Sequence, residues 1–408
     1  MSKSIGAWRS WALVVGSMIG SGIFTLPAIL APYGSYSFVG WLATAIGAIF
    51  IVLSFCQLTR RSPKAGGPYA YVYEAFGKRA AQIVAYGYWI SLWSGVAAIA
   101  ISFSGYMAYF FPIAAENNLA GAFFSLGAVA IFSYVNIRGI EEASIVQLVT
   151  VILKMIPLIL IGTAGLYFGD VTEIPAINPN DEPFPIMVSG ICLLIMWSYI
   201  GVEAATVPAD DTENPTKTIP RALIIGVLTT TAVYVVSIAG VMAMISPLDL
   251  QHSVSPFTDA AQMLFGQSGA LIVTIGALIA IGGALNSMIL LSGIVPLAGA
   301  RDGVFPAFFK RKDKNGTPVV SIIFSSLLAG AIIFMSASRG LLGAFEFVIL
   351  LSTFTILIAY LGAALASIKL QYMDLEAGIK INYLDLLVSI LATIFSIIAI
   401  IGAGVIYN

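Results

Sequence analysis

Runs of twenty or more mostly apolar residues recur along this chain, separated by short polar segments. A helix needs about 20 apolar residues to cross the hydrocarbon of a bilayer, so the pattern predicts eleven spans. They fall near 10–32, 37–59, 81–113, 119–137, 143–168, 185–209, 222–246, 267–297, 317–337, 341–368 and 383–406. Two of them are interrupted. The first carries Gly20-Ser21-Gly22 at its midpoint, then Pro27. The sixth carries Gly201 within Trp197-Ser-Tyr-Ile-Gly-Val-Glu203, then Pro208. Glycine costs about 1 kcal/mol against alanine inside a helix. An unpaired backbone group in hydrocarbon costs more still, so such breaks persist where they line a polar cavity within the protein. Two breaks five spans apart are the mark of two inverted five-helix repeats with a site at the bilayer midplane between them. The expected architecture is therefore an all-α integral membrane fold, one transporter-like domain over 1–408. Its repeats would be 10–168 and 185–368, with 383–406 as an extra span.

Composition supports this reading. The chain has 408 residues, of which 59% are hydrophobic and 10% charged, against about 25% charged in a soluble domain. The net charge of −1 implies no nucleic-acid partner. Cys56 and Cys192 both fall in apolar runs and read as small core hydrophobes rather than a disulfide or metal pair. No metal or cofactor is expected. The first apolar run is full length and lacks a small-residue cleavage site, so no cleavable signal peptide is expected. With the N-terminus inside, 17 of the 19 Lys and Arg residues fall in cytoplasmic segments, as the positive-inside rule requires. Lys3, Lys64 and Lys314 are among them. Only Arg339 falls outside, and Lys154 lies within span five. The outer loops are acidic instead, with Glu116, Asp170, Glu173, Asp181, Glu182, Asp249 and Asp259.

The two breaks suggest a ligand. Unwinding the first span frees the amides of Ser21, Gly22 and Ile23 at the N-terminus of its outer half, a positive end suited to a carboxylate. A competing explanation is tight helix packing through Gly16 and Gly20, but it accounts for neither the three small residues in a row nor the matching break. In the sixth span the half-helix leading inward ends near Trp197–Ile200. Its freed carbonyls carry partial negative charge and suit an ammonium group. Ser17 and Ser198 add hydroxyls. The ligand that fits both ends is an α-amino acid zwitterion. Lys154 lies about twelve residues from either end of its span, roughly 18 Å, and an intramembrane cation reads as functional. Two roles are open for it: a fixed charge pinning the first break through its carbonyls, or a titrating amine. Glu203 is either a proton carrier or a structural acid. The stretch from Arg60 through Gly66-Gly-Pro-Tyr-Ala-Tyr71 to Gly77 predicts an amphipathic segment, either an interfacial helix or a re-entrant gate. No nucleotide-binding loop, metalloprotease motif or nucleophile elbow occurs. A channel would show a polar stripe along several spans, and a membrane enzyme a catalytic cluster at one depth. Neither pattern is present in the sequence.

Gly20-Ser-Gly-Ile-Phe24, Gly66-Gly-Pro-Tyr-Ala-Tyr71, Trp197-Ser-Tyr-Ile-Gly-Val-Glu203, Arg301-Asp-Gly-Val-Phe-Pro306 and Gly316-Thr-Pro-Val319 together resemble the amino acid–polyamine–organocation transporter superfamily. The likeness covers almost the whole chain and lies nearest its basic amino acid/polyamine branch, arginine/agmatine antiporters included. It implies the leucine-transporter fold and alternating access. It also implies that Ser21, Gly22 and Ile23 bind the substrate carboxylate and that the Trp197, Ser198 and Ile200 region binds the amino group. Tyr88 matches a gating tyrosine and Glu203 a proton-sensing glutamate. Lys154 resembles the span-five lysine that takes the place of a sodium ion in sodium-independent members. The arginine antiporters carry a tryptophan at Met288, an asparagine at Val96 and another at Ser17. Methionine lacks the cation–π term, about 0.5–2 kcal/mol. The expectation is therefore a sodium-independent transporter, antiporter or proton-coupled permease, for neutral amino acids in a bacterial-type inner membrane. Basic amino acids or polyamines are the alternative. Protons and a second copy of the chain are candidate partners, although the usual twelfth span is missing.

Overall fold

The computed structural model describes residues 5–62, 67–138, 144–207, 209, 212–313, 316–380 and 382–406. Lys3, Lys64, Gly66, Pro208 and Lys314 lie outside them. The described chain is helical: α1 (Ala7–Met18), α2 (Ser21–Leu30), α3 (Tyr36–Arg61), α4 (Pro68–Phe76), α5 (Lys78–Met107), α6 (Ile113–Glu116), α7 (Asn118–Ile137) and α8 (Ser144–Phe168). There follow α9 (Phe184–Met196), α10 (Pro215–Met244), α11 (Pro247–Leu250), α12 (Pro256–Arg301), α13 (Val319–Ser336), α14 (Gly340–Glu376) and α15 (Tyr383–Ile406). Counting α1 with α2 as one interrupted span, and leaving aside the short α4, α6 and α11, this gives the eleven expected crossings among the described residues. The chain is a multi-pass membrane protein.

Boundaries differ from the apolar runs for physical reasons. Helix α10 starts at Pro215, whose missing N–H costs nothing at a helix start, and α14 runs on to Glu376 through polar residues. Both extend a helix beyond the hydrocarbon, which hydropathy does not register. Helix α12 is broken at Gly266, with φ 66° and ψ −163°, so Pro256–Phe265 forms a separate short helix before the span proper. The glycine-led segment after Gly67 does form the helix α4, with proline in its first turn.

Two loop pairings fix which ends lie together. Ile5 bridges Thr212 in parallel, and the Glu213 amide donates to the Ile5 carbonyl at 3.0 Å. The chain start and the loop after span six therefore share one face. Gly34 bridges Ala176, and the Ser35 amide donates to the Pro175 carbonyl at 2.8 Å. The loops after spans one and five therefore share the other. Gly34 has φ +52°, and a Cβ there would lie 1.9 Å from the Pro175 oxygen, so only glycine permits this closure.

Inside the bundle, α5 packs on α12 and α14, and α10 packs on α1, α3 and α8. Helix α15 lies against α3, α9 and α14. All ten residues of α2 are buried, so the interrupted first span sits at the centre, enclosed by protein rather than lipid.

Candidate functional site

The first break falls between Met18 and Ser21. Ile19 leaves the helix with ψ 91°, and Gly20 takes φ −138°, ψ −143° before α2 begins. The opening residues of α2 are Ser21, Gly22 and Ile23. Their amides have no carbonyl one turn earlier within α2 to bond, as at any helix start. Pro27 has no N–H to give the Ile23 carbonyl, which frees a further backbone group. The second break starts where α9 ends at Met196. A 3₁₀ turn covers Trp197–Tyr199, Ile200 is extended, and Gly201 has φ +98°. The helix thus stops several residues before the glycine that marks the break in the sequence.

The two breaks meet. A Cβ on Gly22 would lie 2.6 Å from Ser198 Oγ and 3.2 Å from both Ser198 Cα and Trp197 Cδ1. A Cβ on Gly201 would lie 2.7 Å from Ser17 Cβ. The positive N-terminus of α2 therefore abuts the carbonyl end of α9, with Ser17, Ser21, Gly22, Ile23, Trp197, Ser198 and Ile200 brought together. Ser21 Oγ, Ser198 Oγ and Trp197 Nε1 are buried and have no protein hydrogen-bond partner. Buried polar groups are almost always paired, and these three unpaired atoms gather at one junction.

One tyrosine ties the junction together. The Tyr234 hydroxyl, on α10 and fully buried, lies 2.5 Å from the Met18 carbonyl and 3.2 Å from the Ser198 carbonyl. These are the exposed carbonyl ends of both breaks. Nothing in the sequence marks Tyr234, because a lone tyrosine in an apolar run looks like core packing.

On the side toward the chain start, Glu203 is held by two phenols. Tyr88 donates to Oε1 at 2.9 Å and Tyr360 to Oε2 at 2.5 Å. All three residues are at most 1% exposed. They link α5, the sixth-span break and α14 through one carboxyl. The sequence supplied Tyr88 and Glu203, and the structure adds Tyr360.

Trp197, Met288 and Ser352 converge at Gly95 of α5. A Cβ there would lie 3.4 Å from Trp197 Cη2, 3.5 Å from Met288 Cε and 3.6 Å from Ser352 Oγ. Val96 is buried next to it in the chain. Neither Gly95 nor Ser352 is marked in the sequence, since a glycine or a serine in an apolar span signals nothing by itself. Phe345 closes one edge, with its ring 6.4 Å from the Trp197 ring and nearly perpendicular to it. Lys154 is 5% exposed on α8 and reaches α12, where a Cβ on Gly283 would meet its Cε and Nζ at 3.5 Å. The next residue, Ala284, lies against Gly20, with 3.0 Å between its Cβ and the position of a Gly20 Cβ. The lysine thus stands at the depth of the first break. Among the described residues no cluster of His, Cys, Asp or Glu could hold a metal.

The family model described as amino acid permease matches residues 5–407. The chain is 28% identical to the cadaverine/lysine antiporter of Escherichia coli strain K12, over 99% of this chain and 90% of that one. It is 29% identical to a putrescine transporter of Haemophilus influenzae, over 99% and 92%. An arginine/ornithine antiporter of Pseudomonas aeruginosa is also 29% identical, over 86% and 76%. All of these names denote transport of basic amino acids or polyamines, so the relatives favour that alternative over the neutral substrates expected from Met288 and Val96. The two broken helices, their abutting dipole ends and a family match along nearly the full chain agree: this is a transporter belonging to the amino acid permease family of the amino acid–polyamine–organocation superfamily.

Proposed function

We propose that this chain is a sodium-independent antiporter that exchanges basic amino acids and polyamines by alternating access. It would act in a bacterial-type inner membrane with its N-terminus cytoplasmic, and 10–168 and 185–368 would be its inverted repeats. The observation that carries a charged amino acid or amine as ligand is the junction of the two breaks. There, opposite helix ends meet over three unpartnered buried polar atoms, Ser21 Oγ, Ser198 Oγ and Trp197 Nε1. The α2 amides suit a carboxylate, and the carbonyl end of α9 suits an ammonium. A diamine would use the second end alone. The relatives support the basic class, and the Lys154 ammonium beside Gly283 supports independence from sodium, because a fixed cation already stands there.

The test is counterflow in proteoliposomes loaded with lysine, in potassium buffer, with unlabelled arginine, lysine, ornithine, putrescine, cadaverine, leucine and alanine as competitors. The basic set should compete. Competition by leucine and alanine without arginine, lysine or the diamines would return the substrate to the neutral class. A requirement for sodium would refute the role given to Lys154.

A further inference from the structure

The third and eighth spans are each preceded by a short helix that ends on the same backbone bend. On the face that holds the chain start, α4 begins at Pro68 and is followed by Gly77, with φ 78° and ψ −174°, before α5. On the opposite face, the short helix of α12 begins at Pro256 and is followed by Gly266, with φ 66° and ψ −163°, before the span proper. A Cβ on Gly77 or on Gly266 would meet nothing within 4 Å. Glycine is therefore there for the bend and not for room.

Each short helix lies over one half of a broken span. Gly67, just before α4, faces the inner end of span six: a Cβ there would lie 3.5 Å from Thr206 Oγ1 and 3.6 Å from Val207 Cγ2. Phe257, second residue of the outer short helix, sets its ring 5.4 Å from that of Phe24 in α2, the outer half of span one. Each short helix also reaches the end of the other one's span. The hydroxyl of Tyr69, second residue of α4, donates to Asp302 Oδ2 at 3.0 Å, just past α12. The Tyr106 hydroxyl, in the last turn of α5, accepts from the Phe257 amide at 3.4 Å and donates to the Phe24 carbonyl at 2.9 Å. Tyr69 and Phe257 thus hold the same place, one residue after the proline, and make reciprocal contacts.

The inner contact joins groups that are anchored to different neighbours. Helix α4 is held on α3 by Tyr71 with Thr59 at 3.0 Å and Glu74 with Arg61 at 3.7 Å. The loop carrying Asp302 is held on α5: the Gln82 side-chain nitrogen donates to the Val304 carbonyl at 3.4 Å, and Phe305 stacks on Tyr86 with ring centres 4.5 Å apart. On the outer face, α5 is held on α7 by the Ser104 hydroxyl donating to the Gly121 carbonyl at 3.0 Å, while Phe257 goes with α2. Breaking either contact parts two neighbours without undoing either.

We propose, on the alternating-access reading above, that the two short helices are hinged caps. Tyr69–Asp302 latches the inner one and Tyr106, through Phe257 and Phe24, the outer one. The transport cycle releases one latch while the other stays closed, and both are closed in this structure. The latches are unequal. Asp302 is exposed, so water competes for the inner bond. Tyr106 is fully buried against the Phe24 ring, and Thr258 adds a second outer tie to Thr274 at 2.7 Å. The inner cap therefore releases more easily.

The test reads which face is open, not which substrate moves, so a wrong substrate class leaves it intact. In a chain carrying Cys56→Ala and Cys192→Ala, two reporters are introduced singly. Thr206→Cys lies beneath the inner cap. Ser102→Cys lies one turn below Tyr106, where the serine meets Thr25 of α2 at 2.7 Å. Both positions are buried. Labelling by an impermeant maleimide is followed from each face of sealed vesicles. Asp302→Ala and Tyr69→Phe should each raise labelling of the inner reporter about 2-fold to 10-fold, the loss of one hydrogen bond, without raising the outer one. Tyr106→Phe and Thr258→Val should do the reverse. Latch variants that raise both reporters alike, or neither, overturn the proposal. A compound that competes in counterflow should shift both reporters in the chain without latch variants. If it shifts neither, alternating access itself falls. If it shifts them and the latch variants do not, the latches alone fall. Asp302 is exposed, so its variant should fold; if Tyr106→Phe does not, Thr258→Val decides the outer arm.

Discussion

Replacing Gly22 by alanine tests whether the meeting of the two broken helices is the substrate site. The added Cβ would stand 2.6 Å from Ser198 Oγ and 3.2 Å from Ser198 Cα and Trp197 Cδ1. Rotating the buried Ser198 hydroxyl relieves only part of the clash at 2.6 Å. The Ser198 backbone and the Trp197 ring cannot move without shifting the 3₁₀ turn at Trp197–Tyr199. Overpacking of this kind costs about 1–3 kcal/mol. If that strain falls on the geometry that grips the ligand, half-saturation rises between about 5-fold and 150-fold. The assay is concentration-dependent counterflow in proteoliposomes, with folding checked by the size-exclusion profile. A second variant separates strain from simple damage. Ser198→Ala removes the atom at 2.6 Å and keeps the contacts at 3.2 Å, so in the Gly22→Ala background it should recover part of the affinity. Coupling between touching residues is about 0.5–3 kcal/mol. A well-folded Gly22→Ala chain with half-saturation within about twofold of the original would refute the reasoning. Strict additivity in the double variant would show that Ser198 is not what Gly22 makes room for.

Tyr234→Phe removes the donor to the Met18 and Ser198 carbonyls; at about 0.5–1.5 kcal/mol per hydrogen bond, exchange should slow roughly tenfold while the chain stays folded, and an unchanged rate would mean the tie is idle. Tyr88→Phe and Tyr360→Phe each leave one oxygen of the buried Glu203 carboxyl without its donor, worth about 1.5–3 kcal/mol. A reporter cysteine placed just cytoplasmic of Tyr88 should then become more reactive to an impermeant thiol reagent in inside-out vesicles. Gly283→Ala adds only ordinary contact with Lys154 at 3.5 Å and should transport normally, whereas Gly283→Leu should displace the ammonium and lose activity, as Lys154→Ala should.

What the sequence reveals here is what costs energy locally. Three small residues and a proline in span one, and Gly201 with an acid two residues on, are expensive in hydrocarbon, so both breaks are legible. The partners that make them a site are not. Tyr234 answers carbonyls that become exposed only because two other helices are broken, and nothing in its own segment differs from a core tyrosine. Tyr360 is legible as the second donor to Glu203 only once α14 is seen beside α5. Gly95 becomes part of the wall because Trp197 and Met288 converge on it. The fold is more readable than the site for the same reason. Span number follows from apolar run length, but helix length does not, so α10 begins seven residues before its apolar run and α14 ends eight after.

Selectivity is where Met288 and the relatives point in different directions. Met288 removes one aromatic partner for a cation, a term of about 0.5–2 kcal/mol, but it does not empty the wall of aromatics. Trp197 reaches the same place from span six, with its Cη2 only 3.4 Å from the position of a Gly95 Cβ, and Met288 Cε lies 3.5 Å from that position. On the proposed reading, the ammonium common to lysine, ornithine and the diamines is served by the Trp197 face and the nearby backbone carbonyls. What Met288 withholds is a second plane on which a guanidinium would stack. Met288→Trp separates these. It should strengthen competition by arginine about 2-fold to 30-fold, the range that follows from that cation–π term, and leave putrescine within a few-fold of its original value. Gly95 gives the larger ring its room, so Gly95→Ala in the same chain should cancel the gain. If Met288→Trp improved leucine as much as arginine, the wall would be reading apolar surface alone and the cationic assignment would fall with it.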